Sequence, residues 1–527
     1  MKKCLRLLIM TKHSFTLDIS EFNEKIVGEY NAYRGDKCLP ADINVARSII
    51  PPGTSTLRDF SYIAPDIPVL VYEKCVGCMD CVVECPDTAI LGKVVTPETL
   101  TQSLSTLKDP SEKERLQKYY IKTKKYYETY EKKGTTPGLF NITIDPTKCK
   151  GCGECVEVCG DKEALIMVKK DETILKEARN NIQFYKKLPE TPKEFINERL
   201  LSDMMLAERS LLFTGGAGSC MGCGEATAIR MMLAATGFVY GKNSCAIVAS
   251  TGCNTVYAST YPYNPFLVPW TNSLFENNSA DAMGIRMRWN QIGFKDKKLW
   301  AIGGDGAMLD IGFQSLSRLL TSGMDIKVLI LDTQAYSNTG GQASTGSFLG
   351  QDAKMSTIGK AIQGKTERRK EIANIAMMHP DVFVAQTVSS LSNHFYNAIM
   401  AANEYPGPAV INVYTSCQPE HGIADDASAS QGKLAVYSRA FPLLVYDPRA
   451  GTKMKERLSL RGNPAVKEDW YKNPSTGETV DFISFAKTEG RFSKQFDKEG
   501  KPSQTLQKSQ EDRLSNWHLL QELAGLI

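Results

Sequence analysis

Residues 299–342 contain the feature that most limits the fold of this chain. An apolar run at 299–302 ends in a turn, 303–306, that reads Gly-Gly-Asp-Gly. An amphipathic stretch at about 311–320 follows, and a second apolar run at 326–331 is rich in residues that favour strands. Strand, glycine turn, helix and strand form a βαβ unit, so the sequence predicts an α/β domain with a parallel sheet.

Two polar residues follow the two predicted strands, Asp305 after the first and Thr333 after the second. Ligands of parallel sheets bind beyond the carboxyl ends of the strands, where both side chains would lie. A carboxylate, a hydroxyl and a backbone carbonyl, here that of Ala335, suit Mg²⁺ together with a diphosphate. Gly304 and Gly306 would let the backbone approach phosphate. The alternative is an ordinary turn in which Asp305 caps a helix.

The chain contains 15 cysteines, and most lie in short-spaced clusters. Residues 75–86 follow the pattern C-x2-C-x2-C-x3-C-P, and the same cysteine spacing recurs at 149–159. This spacing is that of bacterial [4Fe–4S] proteins, in which the fourth cysteine of each run binds the other cluster. A structural zinc site is the alternative, but zinc needs four ligands rather than two interlocked sets. One cluster should be held by Cys75, Cys78, Cys81 and Cys159, and the other by Cys149, Cys152, Cys155 and Cys85.

Composition narrows the class of protein further. Hydrophobic residues make up 42% and charged residues 23% of the 527, and the net charge is +4. So slight a charge favours neither a nucleic-acid partner nor an anionic membrane, and no apolar stretch approaches the roughly 20 residues that span a bilayer. Clustered cysteines in a chain without a recognisable signal peptide indicate metal centres in a reducing compartment. We therefore expect a cytoplasmic protein.

A third CxxC pair, Cys220 and Cys223, lies in a glycine-rich segment just before a predicted helix. A thioredoxin-like redox pair is one interpretation of such spacing. The preceding residues 214–219 do not resemble a strand, and two cluster motifs already lie upstream. The pair is therefore also a candidate for further cluster ligands.

The segment 304–342, GDGAMLDIGFQSLSRLLTSGMDIKVLILDTQAYSNTGGQ, resembles the pyruvate:ferredoxin (2-oxoacid:ferredoxin) oxidoreductases, which use thiamine diphosphate. The resemblance covers roughly residues 70–450. It implies that Asp305, Thr333 and Ala335 hold Mg²⁺. It also implies that the cofactor is bound by Glu225, Cys253, Gly304, Asp305, Gly306, Ala307, Thr333, Ala335 and Asn338.

The same resemblance implies a third [4Fe–4S] cluster beside the thiamine. In the family, a GSCxGCGE segment supplies two ligands, a TGC segment a third, and a cysteine after a late strand the fourth. The corresponding residues here are Cys220, Cys223, Cys253 and Cys417. Glu225 and Asn338 are the candidate catalytic residues, Asn338 through contact with the substrate.

The predicted architecture combines an α/β thiamine diphosphate-binding domain with a parallel sheet and an α+β ferredoxin-like domain. We expect an N-terminal arm at 1–70, the ferredoxin-like domain at 71–170 and a helical linker at 171–210. The thiamine diphosphate-binding domain, with the third cluster, should cover 211–440, and a C-terminal tail 441–527.

The implied function is CoA-dependent oxidative decarboxylation of a 2-oxoacid to acyl-CoA and CO₂, or the reverse carboxylation. Electrons would pass through the clusters to an external ferredoxin or flavodoxin. Pyruvate is the expected substrate; 2-oxoglutarate, indolepyruvate and oxalate are alternatives. The domains that bind the aminopyrimidine and coenzyme A would belong to a separate subunit of a hetero-oligomer. Two competing interpretations are an electron-transfer subunit without thiamine chemistry and a structural subunit with clusters only for folding.

Overall fold

The computed structural model describes residues 18–38, 49–359 and 362–527, without the side chains of Asp36 and Cys38. Its strands, in chain order, are β1 (Asp66–Leu70), β2 (Ile90–Val95), β3 (Leu139–Ile144), β4 (Leu165–Lys169), β5 (Cys245–Ser250), β6 (Trp270–Ser273), β7 (Lys298–Gly304), β8 (Lys327–Asp332), β9 (Phe383–Val388), β10 (Ala409–Tyr414), β11 (Leu444–Tyr446), β12 (Leu458–Ser459), β13 (Tyr471–Lys472) and β14 (Thr479–Val480).

An eight-stranded sheet forms the centre of the molecule, in the order β12-β11-β9-β10-β8-β7-β5-β6. In this sheet order, all neighbouring pairs between β9 and β6 are parallel. Lys327 on β8 lies opposite Trp300 on β7 and, on its other side, opposite Ala409 on β10. Only β11 and β12 pair antiparallel to their neighbours. After β5 the chain forms β6 on one side and β7 on the other, so the connections reverse direction there. In open α/β sheets the ligand-binding crevice lies at such a point.

The predicted α/β class is confirmed, and the predicted strands agree with β7 and β8. The predicted helix begins later than its pattern suggests, because a π-helical turn, Gly306–Ile311, precedes the α-helix Phe313–Leu320. At Gly312, between them, an added Cβ would lie only 2.3 Å from the carbonyl oxygen of Ala307. The backbone is therefore compressed at the residues that follow β7.

Helices cover both faces of the sheet. One face packs against helices Asn278–Gln291, Phe313–Leu320 and Ile372–Met377, and against the C-terminal helix through Trp517. The other face packs against helix Gly224–Tyr240, and that core continues into the cysteine-rich region. The two regions therefore share one apolar interior. The α-helices are Ile19–Phe22, Gly28–Asn31, Gly35–Cys38, Asp80–Val83, Pro97–Ser105, Pro110–Lys118, Thr129–Lys132, Glu154–Glu157, Glu172–Lys187, Leu201–Met204, Gly224–Tyr240, Cys253–Ala258, Asn278–Gln291, Phe313–Leu320, Ile372–Met377, Ser392–Glu404, Gln418–His421, Ser428–Tyr437, Met454–Arg457, Phe482–Lys487 and Gln504–Leu523.

Shorter helical turns complete the secondary structure. Two further π-helical turns are Asn23–Val27 and Lys124–Glu128. The 3₁₀ turns are Thr54–Leu57, Tyr72–Lys74, Gly160–Lys162, Lys193–Phe195, Glu208–Ser210, Lys242–Ser244, Pro448–Ala450 and Gly490–Gln495. None of the described helices has the length and apolar character to cross a membrane.

The cysteine-rich region consists of two antiparallel strand pairs, β1 with β4 and β2 with β3. Each cysteine run turns through a glycine with φ of 75°, Gly77 in the first and Gly151 in the second. This left-handed conformation favours glycine. Each run then enters a short helix, Asp80–Val83 or Glu154–Glu157. The sequence repeat is therefore also a repeat in backbone geometry.

The predicted domain boundaries remain predictions, although two regions differ from the simple description. In the predicted helical linker, helix Glu172–Lys187 is followed by short turns and loops. From the predicted C-terminal tail, β11 extends the central sheet by pairing with β9. Part of the predicted N-terminal arm lies outside the described residues.

Candidate functional site

A cleft of about 500 Å³ opens at the carboxyl ends of β5, β7 and β8. β5 leads into Thr251, β7 into Asp305 and β8 into Thr333, so three neighbouring strands each deliver a polar residue to it. All nine residues predicted to bind the cofactor line this cleft: Glu225, Cys253, Gly304, Asp305, Gly306, Ala307, Thr333, Ala335 and Asn338.

Three oxygen atoms meet at the base of the cleft. The hydroxyl of Thr333 lies 3.2 Å from Oδ1 of Asp305 and 3.0 Å from the carbonyl oxygen of Ala335. The hydroxyl of Ser344 donates to Oδ2 of Asp305. A carboxylate, a hydroxyl and a carbonyl are hard ligands, and Mg²⁺ with its phosphate oxygens prefers such ligands. The donor set therefore fits the predicted metal.

Asp305 is buried, with 1% of its surface exposed. Burial, with a contribution from Asp332, raises the pKa of its carboxyl to about 7. A bound divalent cation acts in the opposite direction, because its positive charge favours the ionised carboxylate.

The two loops of the candidate metal site pack directly on each other. A Cβ added at Gly306 would lie 2.2 Å from the ring of Tyr336. The hydroxyl of that tyrosine donates to Asp310 at 2.7 Å, at the end of the π-helical turn. Glycine at this position therefore lets the loop after β8 approach the loop after β7, and the three oxygen donors meet as a result.

Glu225 lies at the start of helix Gly224–Tyr240 and is buried at the cleft. Its Oε2 has no hydrogen-bond partner among the described residues. Burial, with a smaller contribution from Asp305, raises the pKa of this carboxyl to about 8. An unpartnered buried carboxyl at a cleft can hold or accept a proton from a bound group, as expected for a residue that contacts a cofactor.

A second cavity, of about 680 Å³, lies beside the cleft. Both are lined by Glu225, Cys253, Thr333, Ser337 and Asn338. Its cysteines come from distant parts of the chain: two precede helix Gly224–Tyr240, one begins helix Cys253–Ala258 and one follows β10. The four are Cys220, Cys223, Cys253 and Cys417, as predicted from the resemblance.

Two smaller cavities, of about 350 and 340 Å³, lie in the cysteine-rich region. Each takes three cysteines from one run and the fourth from the other, as the spacing predicted. The first is lined by Cys75, Cys78, Cys81 and Cys159, and the second by Cys149, Cys152, Cys155 and Cys85. Burial raises the thiol pKa, to about 11 at Cys75 and to about 12 at Cys149. An iron centre would bind these side chains as thiolates.

In all three sets the thiols surround a cavity rather than a single point. Over residues 18–38, 49–359 and 362–527, no three His, Cys, Asp or Glu side chains are placed to hold one metal ion. Backbone amides point at two of the sulfurs, from Ala89 to Cys85 at 3.4 Å and from Ala164 to Cys159 at 3.2 Å. Cavities of this kind fit a multi-atom cluster; the assignment of each cysteine as a ligand remains a prediction.

His421, which belongs to no recognisable sequence motif, links two of these features. Its Nε2 lies 2.8 Å from the carbonyl oxygen of Thr333, and its Nδ1 accepts from the amide of Cys417 at 3.4 Å. Burial lowers its pKa well below the usual range, so the ring is neutral and Nε2 is the donor. Only its position four residues after Cys417 could have pointed to it.

Buried charged residues support the loop after β8 from behind. Arg369 forms an ion pair with Asp332, and both side chains are almost fully buried. Arg491 pairs with Glu489 at 2.6 Å and also donates to the side chain of Gln334 at 3.1 Å. These contacts fix the residues on either side of Thr333, and none belongs to a recognisable motif.

Family models match the two regions separately. The thiamine pyrophosphate enzyme, C-terminal TPP binding domain, matches residues 250–413. The 4Fe-4S dicluster domain matches residues 74–162. The first match contains the cleft residues after β5, β7 and β8, and the second contains both cysteine runs.

Several curated proteins are similar to most of the chain. The probable pyruvate-flavodoxin oxidoreductase of Escherichia coli (strain K12) is 29% identical, over 76% of this chain and 38% of that protein. The pyruvate:ferredoxin oxidoreductase of Moorella thermoacetica is 28% identical, over 96% of this chain and 46% of that protein. The mitochondrial pyruvate dehydrogenase [NADP(+)] of Euglena gracilis is 28% identical, over 84% of this chain and 26% of that protein.

The chain thus spans less than half the length of these relatives. Within that span, the cleft, the two cysteine runs and both matching domains occur in a single sequence. The chain therefore carries a 4Fe-4S dicluster region and a thiamine pyrophosphate-binding domain, and over most of its length it is similar to pyruvate:ferredoxin and pyruvate-flavodoxin oxidoreductases.

Proposed function

We propose that this chain is the redox subunit of a CoA-dependent 2-oxoacid:ferredoxin oxidoreductase that acts on pyruvate. In the oxidative direction, a 2-oxoacid and CoA give an acyl-CoA, CO₂, one proton and two electrons. The observation that carries the proposal is the common lining of the cleft and the cavity of Cys220, Cys223, Cys253 and Cys417. Electrons released in the cleft would need to cross only this shared layer of side chains.

The residues of the chain have distinct proposed roles in that reaction. Asp305, Thr333 and the carbonyl of Ala335 would hold Mg²⁺, and Gly304, Gly306 and Ala307 would allow close approach of the diphosphate. Thiamine diphosphate, when bound, supplies a cationic ring that acts as an electron sink for decarboxylation. Glu225 would hold or accept a proton at that ring, and Asn338 would orient the substrate from the loop after β8.

Three [4Fe–4S] clusters, one at each set of four cysteines, would carry the two electrons singly to an external ferredoxin or flavodoxin. The names of the relatives support this class of acceptor and support pyruvate as the 2-oxoacid. A 2-oxoglutarate-specific enzyme is the main alternative within the class. Cysteines that bind iron as thiolates must stay reduced, so we also propose a cytoplasmic location.

The cleft is open toward solvent at apolar residues, among them Ile311, which is 52% exposed. Leu274, next to Phe275 of the cleft, is 58% exposed. We propose that polypeptide outside these 527 residues covers them, in the form of a separate subunit that binds the aminopyrimidine and CoA. This would make the active enzyme a hetero-oligomer.

The test is turnover by the assembled enzyme, purified without oxygen. Pyruvate with CoA should reduce ferredoxin or a viologen dye, and one acetyl-CoA should form for every two electrons transferred. 2-Oxoglutarate at the same concentration should reduce it far more slowly. Reduction with 2-oxoglutarate alone would contradict the choice of pyruvate, and no reduction with any 2-oxoacid would contradict the proposed activity.

A further inference from the structure

Arg230 is a buried cation with no role in the function proposed above. It lies on helix Gly224–Tyr240 and is 2% exposed. One nitrogen of its guanidinium donates to the carbonyls of Val82 and Val83, just before Glu84 and Cys85. Its Nε and Nη1 have no hydrogen-bond partner in the described part of the chain. Burying a charge with so few partners is costly, so this charge is a candidate for a role of its own.

The helix that carries Arg230 connects two of the cysteine cavities. Cys223 is the residue at its N-terminus and lines the large cavity beside the cleft. Arg230 follows seven residues later, about 10 Å along the helix axis. There it meets the segment that ends in Cys85, which lines the cavity of Cys149, Cys152 and Cys155. One rigid element therefore places a positive charge between two cluster sites.

The charges around Arg230 are consistent with that position. Burial lowers its pKa, while Cys85, Glu84 and Asp87 favour the charged form, with Cys85 contributing most. A second buried cation, Lys150, lies near the same cavity, but it pairs with Asp87 at 2.7 Å. Among the described residues, Arg230 forms no such ion pair, so its charge remains available to the cavity.

The cavity of Cys85 is lined by Lys150 and by two carboxyls, those of Asp87 and Glu154, and Arg230 adds its charge from just outside the lining. The cavity beside the cleft has no cation in its lining. None of the residues that line it is lysine or arginine, and the one ionisable side chain besides its cysteines and Tyr257 is the carboxyl of Glu225. A cluster becomes more negative by one charge when it takes up an electron. A nearby positive charge stabilises the reduced form, and in a buried site this interaction is only weakly screened.

We propose that Arg230 raises the reduction potential of the cluster held by Cys85, Cys149, Cys152 and Cys155 above that of the cluster beside the cleft. This inference rests on the proposed function, because it requires both clusters to be present. A single electron on the cluster beside the cleft would then move favourably to the next one, and the oxidised first cluster could accept the second electron. Arg230 acts through the electrostatic field and does not touch the substrate.

The experiment is a redox titration of the anaerobically purified holoenzyme, followed by electron paramagnetic resonance. R230Q removes the charge, and R230K keeps it. R439Q is a matched control, because Arg439 is also a buried arginine that donates to backbone carbonyls, with one nitrogen unpartnered. Arg439 has no cysteine among the charges that affect it.

Two further variants assign the signals. C417S should lack the signal of the cluster beside the cleft. K162Q should shift the cluster of Cys75, Cys78, Cys81 and Cys159, because Lys162 donates to the sulfur of Cys78 at 3.3 Å. The signal that neither change affects belongs to the cluster of Cys85.

In R230Q, the reduction equilibrium of that cluster should shift about tenfold toward the oxidised form. For a one-electron couple, this shift lowers the reduction potential by about 59 mV. R230K and R439Q should leave it unchanged. Unchanged potentials in R230Q with full iron content would overturn the inference, and so would an equal shift in R230K. If R230Q does not fold, a wild-type potential for this cluster no higher than that of the cluster beside the cleft would overturn it. Absence of clusters from the wild type would instead overturn the proposed function.

Discussion

The two cysteine cavities of the dicluster region and the cleft at the sheet are built in different ways. The cysteines of the first come from two short runs, 75–85 and 149–159, and each run turns through a glycine in the left-handed conformation. The lining of the cleft comes from residues 225 to 339, which meet only when the strands pair. The first site therefore depends mainly on local backbone geometry, and the second on the tertiary fold.

This difference also appears in what surrounds each site. The sulfurs of Cys85 and Cys159 accept from amides four and five residues later in the chain. Thr333, by contrast, is held by His421, and the neighbouring Asp332 by Arg369. Removal of one partner from a buried charged network is expensive, because the other partner stays buried. Substitutions at the cleft should thus leave the dicluster region intact, and this independence of the two sites can be tested.

Among the variants that should affect the cleft and leave the dicluster region intact, D305A should have the largest effect in the assembled enzyme. Loss of the carboxylate removes a proposed ligand of Mg²⁺, so thiamine diphosphate should no longer be retained after gel filtration. The iron content should stay at about twelve per chain for three four-iron clusters. The measurement is cofactor and iron content per chain, with D296A, at an exposed aspartate, as the control. Cofactor binding by D305A at the wild-type level would refute the metal assignment.

A second test determines how much of the iron is bound in the cavity beside the cleft. C417S should contain about eight irons per chain, because one of three four-iron clusters is lost. C245S should keep all of them, since Cys245 is buried on β5 and lines none of the three cavities. Iron and acid-labile sulfide per chain are the readout. A C417S protein with full iron would mean that the cavity beside the cleft holds no cluster through this residue.

A smaller effect is expected from H421A. Without the imidazole, the carbonyl of Thr333 loses its donor, and the loop that carries the proposed metal ligands is held less firmly. Loss of a residue that orients metal ligands typically costs about 10–100-fold in affinity. We expect that loss for thiamine diphosphate in the presence of Mg²⁺, measured by titration calorimetry. H379A, at a half-buried histidine that contacts Ser317, should bind normally; equal weakening of both variants would exclude a specific role.

The smallest predicted effect concerns stability and pH in the full chain without cofactors. The pKa of Glu225 is raised to about 8 in the fold, above the ordinary value of about 4.3 for the unfolded chain. The folded form then binds more protons between these values, so this residue lowers stability as pH rises from about 5 to 8. E225Q removes the effect.

E225Q and the wild type should therefore have similar melting temperatures at pH 5, whereas E225Q should be more stable at pH 8. The gain should be a few kcal/mol at most, because only the wild-type side chain must keep a proton that the unfolded chain has released, at about 1.4 kcal/mol per pKa unit. E499Q, at an exposed position, should behave like the wild type at both pH values. A constant difference between E225Q and the wild type across this pH range would contradict the burial argument.

The sequence predicted most where ligand spacing is itself the signal. Cysteine spacing alone predicted which fourth cysteine joins each triplet of the dicluster region, because the short loops leave little freedom. The apolar runs predicted β7 and β8, since buried parallel strands are nearly continuous in hydrophobic residues. Cys253 and Cys417 required the family resemblance, because nothing in their local sequence relates them to Cys220.

Other features could not be predicted because they depend on contacts between distant segments. His421 binds Thr333 across 88 residues, and Arg230 meets Val82 across 148. The π-helical turn at Gly306–Ile311 begins where the ring of Tyr336 lies against Gly306, a contact that helical periodicity does not reveal. Sequence patterns describe one element at a time, whereas these features arise where two elements meet.

Helix Gly224–Tyr240 has a consequence for how the protein is made. It is buried along almost all of its length, between the sheet and the dicluster region. Once it has packed, Arg230 covers the backbone just before Cys85, whereas Cys152, which lines the same cavity, stays partly exposed. A preassembled cluster would therefore enter the second cavity from the side of Cys152, and the helix would not need to move.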